Sequence, residues 1–268
     1  MDNKTTQDQR LSYLVEAFKA DSDDYRDLPT PSDPEEKRRV LRSLMNIRMP
    51  GELPADVLRV QDEYLAERAE EKGIVRLSEI PEIRDGLSIW QGDITRLAVD
   101  AIVNAANAQM LGCFVPMHNC IDNCIHSFAG VQLRAECGRQ MERLRIRYGR
   151  HYEQPTAVPM LTDAYNLPAG KVIHVVGPIV RHQLTPALEN DLADCYGNIL
   201  DMCLENGLKS VAFCGISTGV FRFPKQRAAE IAVKTVTDWL TAHPGSMERI
   251  IFTVFSDASR ACYEQLFQ

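Results

Sequence analysis

Seventeen residues from Met110 to His126, MLGCFVPMHNCIDNCIH, hold three cysteines and two histidines. Five side chains of these types are enough for a zinc ion, which takes Cys sulfur and His nitrogen in fours, or in threes when one position stays open for water or substrate. Ile121, Cys124, Ile125, Phe128 and Ala129 follow helical spacing. This predicts a helix starting near Asp122–Asn123, with Cys124 on its buried stripe and His126 turned away from the loop. Cys113, His118 and Cys120 remain. His118 and Cys120 are two apart and share one side of an extended segment, and Pro116 bends the chain back towards Cys113. A Cys/His/Cys set describes an open, catalytic site. A closed structural site recruiting Cys124 or His126, a redox pair, and ordinary buried cysteines are the other readings. A zinc deaminase is excluded, since it needs H-x-E paired with P-C-x-x-C, and the chain has no P-C-x-x-C.

The elements that must position this loop divide in two. Residues 1–75 read as helical. Leu11, Leu14, Val15 and Phe18 trace one face; Ser32 or Asp33 caps a second helix with Pro34 at its first position, Glu35 and Glu36 in its first turn, and Val40, Leu41, Leu44 and Met45 inward; a third runs from about Pro54 to Lys72 and stops at Gly73. The simplest role for these helices is a cap packed on the main domain. After Gly73 the pattern alternates. LSIWQ, DAIVNAAN, AVPML, VIHVV, SVAFCGI and RIIFTVF read as strands, with helices at 185–207, from Pro224 to about His243, and at ASRACYEQLF. Such alternation predicts an α/β sandwich around a mixed sheet.

Composition narrows the function. The 268 residues carry a net charge of −7, which argues against a nucleic-acid surface of the usual basic kind. Residues 1–75 hold 12 Lys and Arg against 17 Asp and Glu, a net of −5. No apolar run approaches the roughly 20 residues of a membrane span, and the polar opening MDNKTTQDQR lacks the apolar core of a signal peptide. A cytoplasmic protein with reduced cysteines, and with neither membrane nor nucleic acid as partner, is expected.

The segment SVAFCGISTGVFRFPKQ places Ser217, Thr218, Gly219 and Val220 in a turn between a strand and a helix, where successive N–H groups can face phosphate oxygens. It is neither a P-loop nor a dinucleotide fingerprint. Three further motifs precede it in order: GDIT at 92–95, VDAIVNAAN at 99–107 and LPAGKVIHVVGP at 167–178. Together the four strongly resemble the macrodomain family of ADP-ribose binders and hydrolases, over roughly residues 76–268.

That resemblance implies a three-layer α/β/α macrodomain with a mixed central sheet at 76–268, preceded by a helical amino-terminal extension at 1–75, with one ADP-ribose cleft at the carboxyl ends of the strands. Asp93 is similar to the carboxylate that accepts from the adenine amino group, with Ile94 beside it, and Asn107 to the amide that holds the distal ribose. Ser217, Thr218, Gly219, Val220 and Phe221 are similar to the diphosphate loop, with Phe221 near the distal ribose; Arg222 stands where many members have a small residue. Without the resemblance, Asp93 would read as a turn or cap aspartate and Asn107 as a loop-stabilising amide.

Most macrodomain hydrolases follow the asparagine with a glycine-rich loop. Here LGCFVPMHNCIDN stands in its place, which is similar to the zinc-dependent macrodomains found beside sirtuin-like transferases in some microbes. The position of the loop favours one Zn²⁺ per chain on Cys113, His118 and Cys120. The expected activity is hydrolysis that frees mono-ADP-ribose from modified protein side chains. Cys120, Ile121 and Asp122 border the ligand, Asn107 orients the ribose, and Asp122 orients a water or caps the helix. Zinc would either bind a ribose hydroxyl or the scissile group, or activate a water. A non-catalytic ADP-ribose reader with a structural zinc, and a hydrolase of a free ADP-ribose derivative, are the alternatives.

Overall fold

The three amino-terminal helices form where the apolar spacing puts them. In a computed structural model, residues 6–268 are described; the first half of the polar opening stretch, residues 1–5, lies outside them. Helix α1 (Gln7–Ala20) buries Leu11, Leu14, Val15 and Phe18. Helix α2 (Pro34–Ile47) is capped by Asp33, whose carboxylate accepts from Glu36 N. Helix α3 (Ala55–Lys72) ends at Gly73 with φ of 82°, a conformation that glycine adopts without strain. Their apolar faces make a cluster of their own, joined from outside by Val131.

The chain then runs through β1 (Val75–Arg76), β2 (Leu87–Gln91), β3 (Leu97–Ala98), β4 (Ala101–Ala106), α4 (Ile121–Ala129), α5 (Val131–Tyr148), β5 (Met160–Asp163), β6 (Lys171–Val176), α6 (Pro186–Glu205), β7 (Ser210–Phe213), α7 (Lys225–Ala242), β8 (Arg249–Val254) and α8 (Asp257–Glu264). Six strands form one sheet in the order β2-β8-β7-β4-β6-β5. All neighbours are parallel except β5, which runs antiparallel to β6 at the edge. The central strands β4, β6 and β7 are almost wholly buried, as strands covered on both faces must be. Helices α4 and α5 pack together against one face, and α6, α7 and α8 form a row on the other. The mixed-sheet α/β/α expectation therefore holds. No described helix is long and apolar enough to cross a membrane.

Three local readings need correction. Helix α4 starts at Ile121, because Cys120 Sγ accepts from Asn123 N at 3.4 Å and caps it; Asp122 and Asn123 are inside the helix and buried. Cys124, expected on the buried stripe, is only half-buried and lies 3.6 Å from Arg42 Nη2. Helix α5 was absent from the sequence reading: its buried face interleaves Leu133, Cys137 and Met141 with Arg134, which breaks the apolar period.

Arg134 joins the two halves of the molecule. It is 4% exposed. Its Nη1 donates to the carbonyls of Met45 (3.1 Å), Asn46 (2.7 Å) and Arg48 (2.6 Å) at the end of α2, and its Nε and Nη2 to Leu111 (2.7 Å) and Cys113 (3.4 Å). Burial brings its pKa down to about 10, so it remains a cation at neutral pH. An Arg134→Leu variant, which strands five carbonyls, should lose about 3 kcal/mol or more of stability in urea unfolding; a loss under about 1 kcal/mol would mean that these contacts are replaceable.

Candidate functional site

The carboxyl ends of the parallel strands meet along one edge, where open α/β sheets bind ligands. Asp93 follows β2, Asn107 follows β4, Gly177 follows β6, and the Cys214–Phe221 turn follows β7. The sheet thus brings the Asp93, Asn107 and Ser217–Phe221 motifs to a common edge.

Asp93 caps a short 3₁₀ turn (Ile94–Arg96), as the turn-aspartate reading anticipated. Its Oδ1 accepts from Thr95 N at 3.0 Å and Thr95 Oγ1 at 2.6 Å, while Oδ2 accepts from Lys72 Nζ of α3 at 3.3 Å. A carboxylate oxygen has two acceptor sites, so Oδ2 keeps one free. Burial pushes the Asp93 pKa up, but Thr95 and the Lys72 charge outweigh it and hold the carboxyl below its ordinary value. Ile94 beside it is buried.

In the turn after β7, Thr218 N and Oγ1 both reach Gly215 O, Phe223 N donates to Ser217 O, and Arg222 N donates to Gly219 O. The N–H groups of Gly219, Val220 and Phe221 donate to no acceptor among the described residues, which leaves three successive donors for an anion. Ser217 and Arg222 are held at φ of 62° and 61°, a region that costs a non-glycine residue about 1–2 kcal/mol. The Ser217 hydroxyl faces inward; it lies where a Cβ on residue 177 would stand, so that position requires glycine.

Asn107 plays the loop-stabilising part: Nδ2 donates to Gly112 O at 3.1 Å and Oδ1 accepts from Gln109 N at 3.0 Å. Its amide also lies 3.4 Å from Asp122 Oδ2. Asp122 is not the cap, since Cys120 is. It is 4% exposed and accepts from Asn104 Nδ2 at 2.8 Å. Burial raises its pKa to about 6, against the pull of Asn104 and Arg134.

The ligand atoms of Cys113, His118 and Cys120 all lie within 4.8 Å of one another, with Cys113 Sγ 3.4 Å from His118 Nδ1. Cys124 and His126 are outside this group. The turn Val115–His118 closes it, with Pro116 second and Met117 third at φ of 57°. Burial and, after it, the neighbouring Cys113 push the Cys120 thiol up to about 12. Two soft sulfurs and an imidazole are a donor set that suits a divalent zinc ion. The loop is held by Asn123, read from the sequence only as a helix start, and by Asn46 and Arg42 of α2, which no sequence signal marks. Asn123 Nδ2 donates to Val115 O (2.9 Å) and Cys113 O (3.3 Å), Asn46 Oδ1 accepts from Met117 N (3.0 Å), and Arg42 Nη2 donates to His118 O (2.9 Å).

His126 does not turn away from the loop. Its ring packs on Gly112, where a Cβ would come within 2.7 Å of it. With Cys137 and His174 it forms a second, fully buried cluster. His174 is satisfied there, 3.0 Å from both Asn104 Nδ2 and Thr162 Oγ1, whereas both ring nitrogens of His126 lack hydrogen-bond partners among the described residues, Nε2 standing 3.6 Å from Asp122 Oδ1.

Comparison with known proteins identifies the family. A protein-ADP-ribose hydrolase of Treponema medium is 46% identical over 265 residues, covering 97% of this chain and 99% of the relative. One of Staphylococcus aureus is 39% identical, covering 96% and 95%. This chain belongs to the macrodomain family. The Macro domain model matches residues 103–232. The Trypanosoma brucei macrodomain in complex with ADP-ribose superposes with a TM-score of 0.64 at 26% identity, covering 89% of this chain and 97% of that one. A mutant of the Oceanobacillus iheyensis macrodomain with ADP-ribose gives 0.60 at 34%, covering 69% and 94%.

The buried imidazoles give this macrodomain an acid-side liability. Burial lowers the pKa of His174 to about 3 and that of His126 well below its ordinary value. Below about pH 6.5 the unfolded chain therefore takes two protons that the folded chain refuses, so stability falls as pH drops. Asp122, with its raised pKa, offsets one of them below about pH 6. His174→Gln should remove about one proton, or about 1.4 kcal/mol per pH unit, from the acid-side slope of unfolding free energy. Identical slopes would mean that the ring protonates inside the fold.

Proposed function

We propose that this macrodomain binds ADP-ribose along the strand-end edge and hydrolyses the bond joining mono-ADP-ribose to modified protein side chains. The observation that carries this reading is the placement of the Cys113–His118–Cys120 cluster directly after Asn107, on the edge that also presents the open N–H groups of Gly219 to Phe221. The names of the relatives, protein-ADP-ribose hydrolases over nearly the full chain, support it. We take residues 1–75 as a helical extension and 76–268 as the macrodomain proper.

The free site on Asp93 Oδ2 takes the adenine amino group, with Ile94 under the base. The diphosphate lies on the N–H groups of Gly219, Val220 and Phe221 and on those of Ile121 and Asp122, which donate to no acceptor among the described residues at the positive end of α4. Asn107 orients the distal ribose. Asp122, buried and 3.4 Å from the Asn107 amide, acts by fixing that amide. Cys113, His118 and Cys120 would hold Zn²⁺, one per chain. When bound there, zinc supplies Lewis acidity, polarising a ribose hydroxyl or the scissile group, or bringing the pKa of a water to about 7.

The deciding experiment measures label release from an ADP-ribosylated protein. Stripping the metal, Cys113→Ala and Cys120→Ala should each abolish release, while ADP-ribose still binds. Unchanged release without metal would confine the cysteines to structure. No release by the wild type, with ADP-ribose bound, would make the chain a reader; release from a small ADP-ribose ester alone would point to a free derivative as substrate.

Asp93→Ala should weaken ADP-ribose binding about 10- to 100-fold, the worth of a hydrogen bond to a charged acceptor. Restored affinity for the hypoxanthine analogue, which lacks the amino donor, would confirm that the loss lies at the base. Wild-type affinity in this variant would remove Asp93 from the cleft.

A further inference from the structure

The extension carries a net charge of −5 over residues 1–75, yet the face it turns to the macrodomain is basic. A cavity of about 230 Å³ lies between α2, α3 and α4, and Arg38, Arg39, Arg42, Arg68, Lys72 and Arg96 line it. Glu35 is the one carboxylate in that lining. Three of the six cations are neutralised: Arg38 by Glu35, Arg68 by Glu71, and Lys72 by Asp93. Arg39, Arg42 and Arg96 have no carboxylate partner among the described residues.

Arg96 Nε donates to Gly73 O at 2.6 Å. Arg42 Nη2 donates to His118 O at 2.9 Å and Asn123 Oδ1 at 2.8 Å, while its Nε is buried without any partner. A buried guanidinium nitrogen left unpaired is uncommon, because desolvation is uncompensated. The three guanidiniums without a carboxylate partner, Arg39 exposed and Arg42 and Arg96 half-buried, stand beside apolar walls that include Leu65, Leu167 and Phe128 and concentrate positive potential in a protein that is otherwise acidic. Their charge matches a dianion better than a carboxylate, and phosphate carries about −1.5 to −2 at neutral pH in a geometry that guanidinium forks bind.

We propose that this cavity binds a phosphate-class dianion, as free phosphate or as a phosphate ester, and that the anion ties the helical extension to the macrodomain. The site is distinct from the proposed ADP-ribose cleft: Thr95 and Arg96 line it, but neither Asn107 nor the Ser217–Phe221 turn does.

Inorganic phosphate, phenyl phosphate and acetate are titrated calorimetrically into the full chain at constant ionic strength, with and without saturating ADP-ribose. One phosphate should bind per chain in both conditions, at least tenfold more tightly than acetate. Arg96→Gln should weaken it at least tenfold. Arg39→Gln, on an exposed position that does not threaten folding, should weaken it at least threefold with ADP-ribose affinity unchanged. Phenyl phosphate binding more tightly than phosphate identifies an ester as occupant, and the reverse order identifies the free ion; either supports the site. No phosphate heat in the wild type, complete displacement by ADP-ribose, or equal binding of acetate with no effect of either variant would overturn the proposal.

Discussion

A buried guanidinium ties the start of the cysteine–histidine loop to the amino-terminal helices. Arg134 donates to five carbonyls, three at the end of α2 and two in the Leu111–Cys113 stretch. Helix carboxyl ends leave carbonyls without partners and bear partial negative charge, and the arginine answers both needs at once. Because the same side chain also meets Leu111 and Cys113, the start of the loop is fixed by where α2 ends. Asn46, 1% exposed, extends the clamp through Ser127 and Met117. The extension is therefore more than a cover: its last α2 residues form part of the scaffold of the loop.

This explains why the extension has an apolar cluster of its own and meets the macrodomain largely through polar contacts. Apart from Val131, the cluster of α1, α2 and α3 draws on residues of the extension. The junction with α5 is carried by amide networks instead, with Gln61 bonded to Gln132 and to Val131 N, and Asp62 accepting from Gln132 and Asn166. Apolar burial stabilises wherever it occurs, whereas hydrogen bonds hold only in one register. A polar junction suits a scaffold that must place a loop accurately.

Most of the fold was legible in the sequence because periodicity follows burial. Leu11, Leu14, Val15 and Phe18 are buried as their spacing requires, and the strand runs DAIVNAAN, VIHVV and SVAFCGI fill the sheet's centre. Helix α5 was not legible, because Arg134 interrupts its apolar face to serve a contact some 88 residues distant in sequence. The clustering of Cys113, His118 and Cys120 was legible, because the loop's position after VNAAN singled out these three from the five candidates and the structure brings their ligand atoms within 4.8 Å of one another. The site was not legible at Asp122. Local propensity favours aspartate as a cap, but the sulfur of Cys120 takes that role and the helix starts early, turning Asp122 inward to Asn104. Arg42 and Asn46 had no signal either, since polar residues on helices ordinarily face water, and Asn123 was marked only as a helix start.

The turn after β7 carries a consequence for kinetics. Ser217 and Arg222 flank Gly219–Phe221 in left-handed conformations, and the hydrogen bonds of Thr218, Arg222 and Phe223 hold that shape from within the turn. Its three open donors are thus aimed by the turn's own bonds. An anion meeting such a turn has no loop to fold, so association follows diffusion and electrostatic steering, and differences among ligands fall on their rates of departure. Glycine at 217 or 222 would relax the backbone, and would return to each encounter the ordering step that these strained residues have already completed.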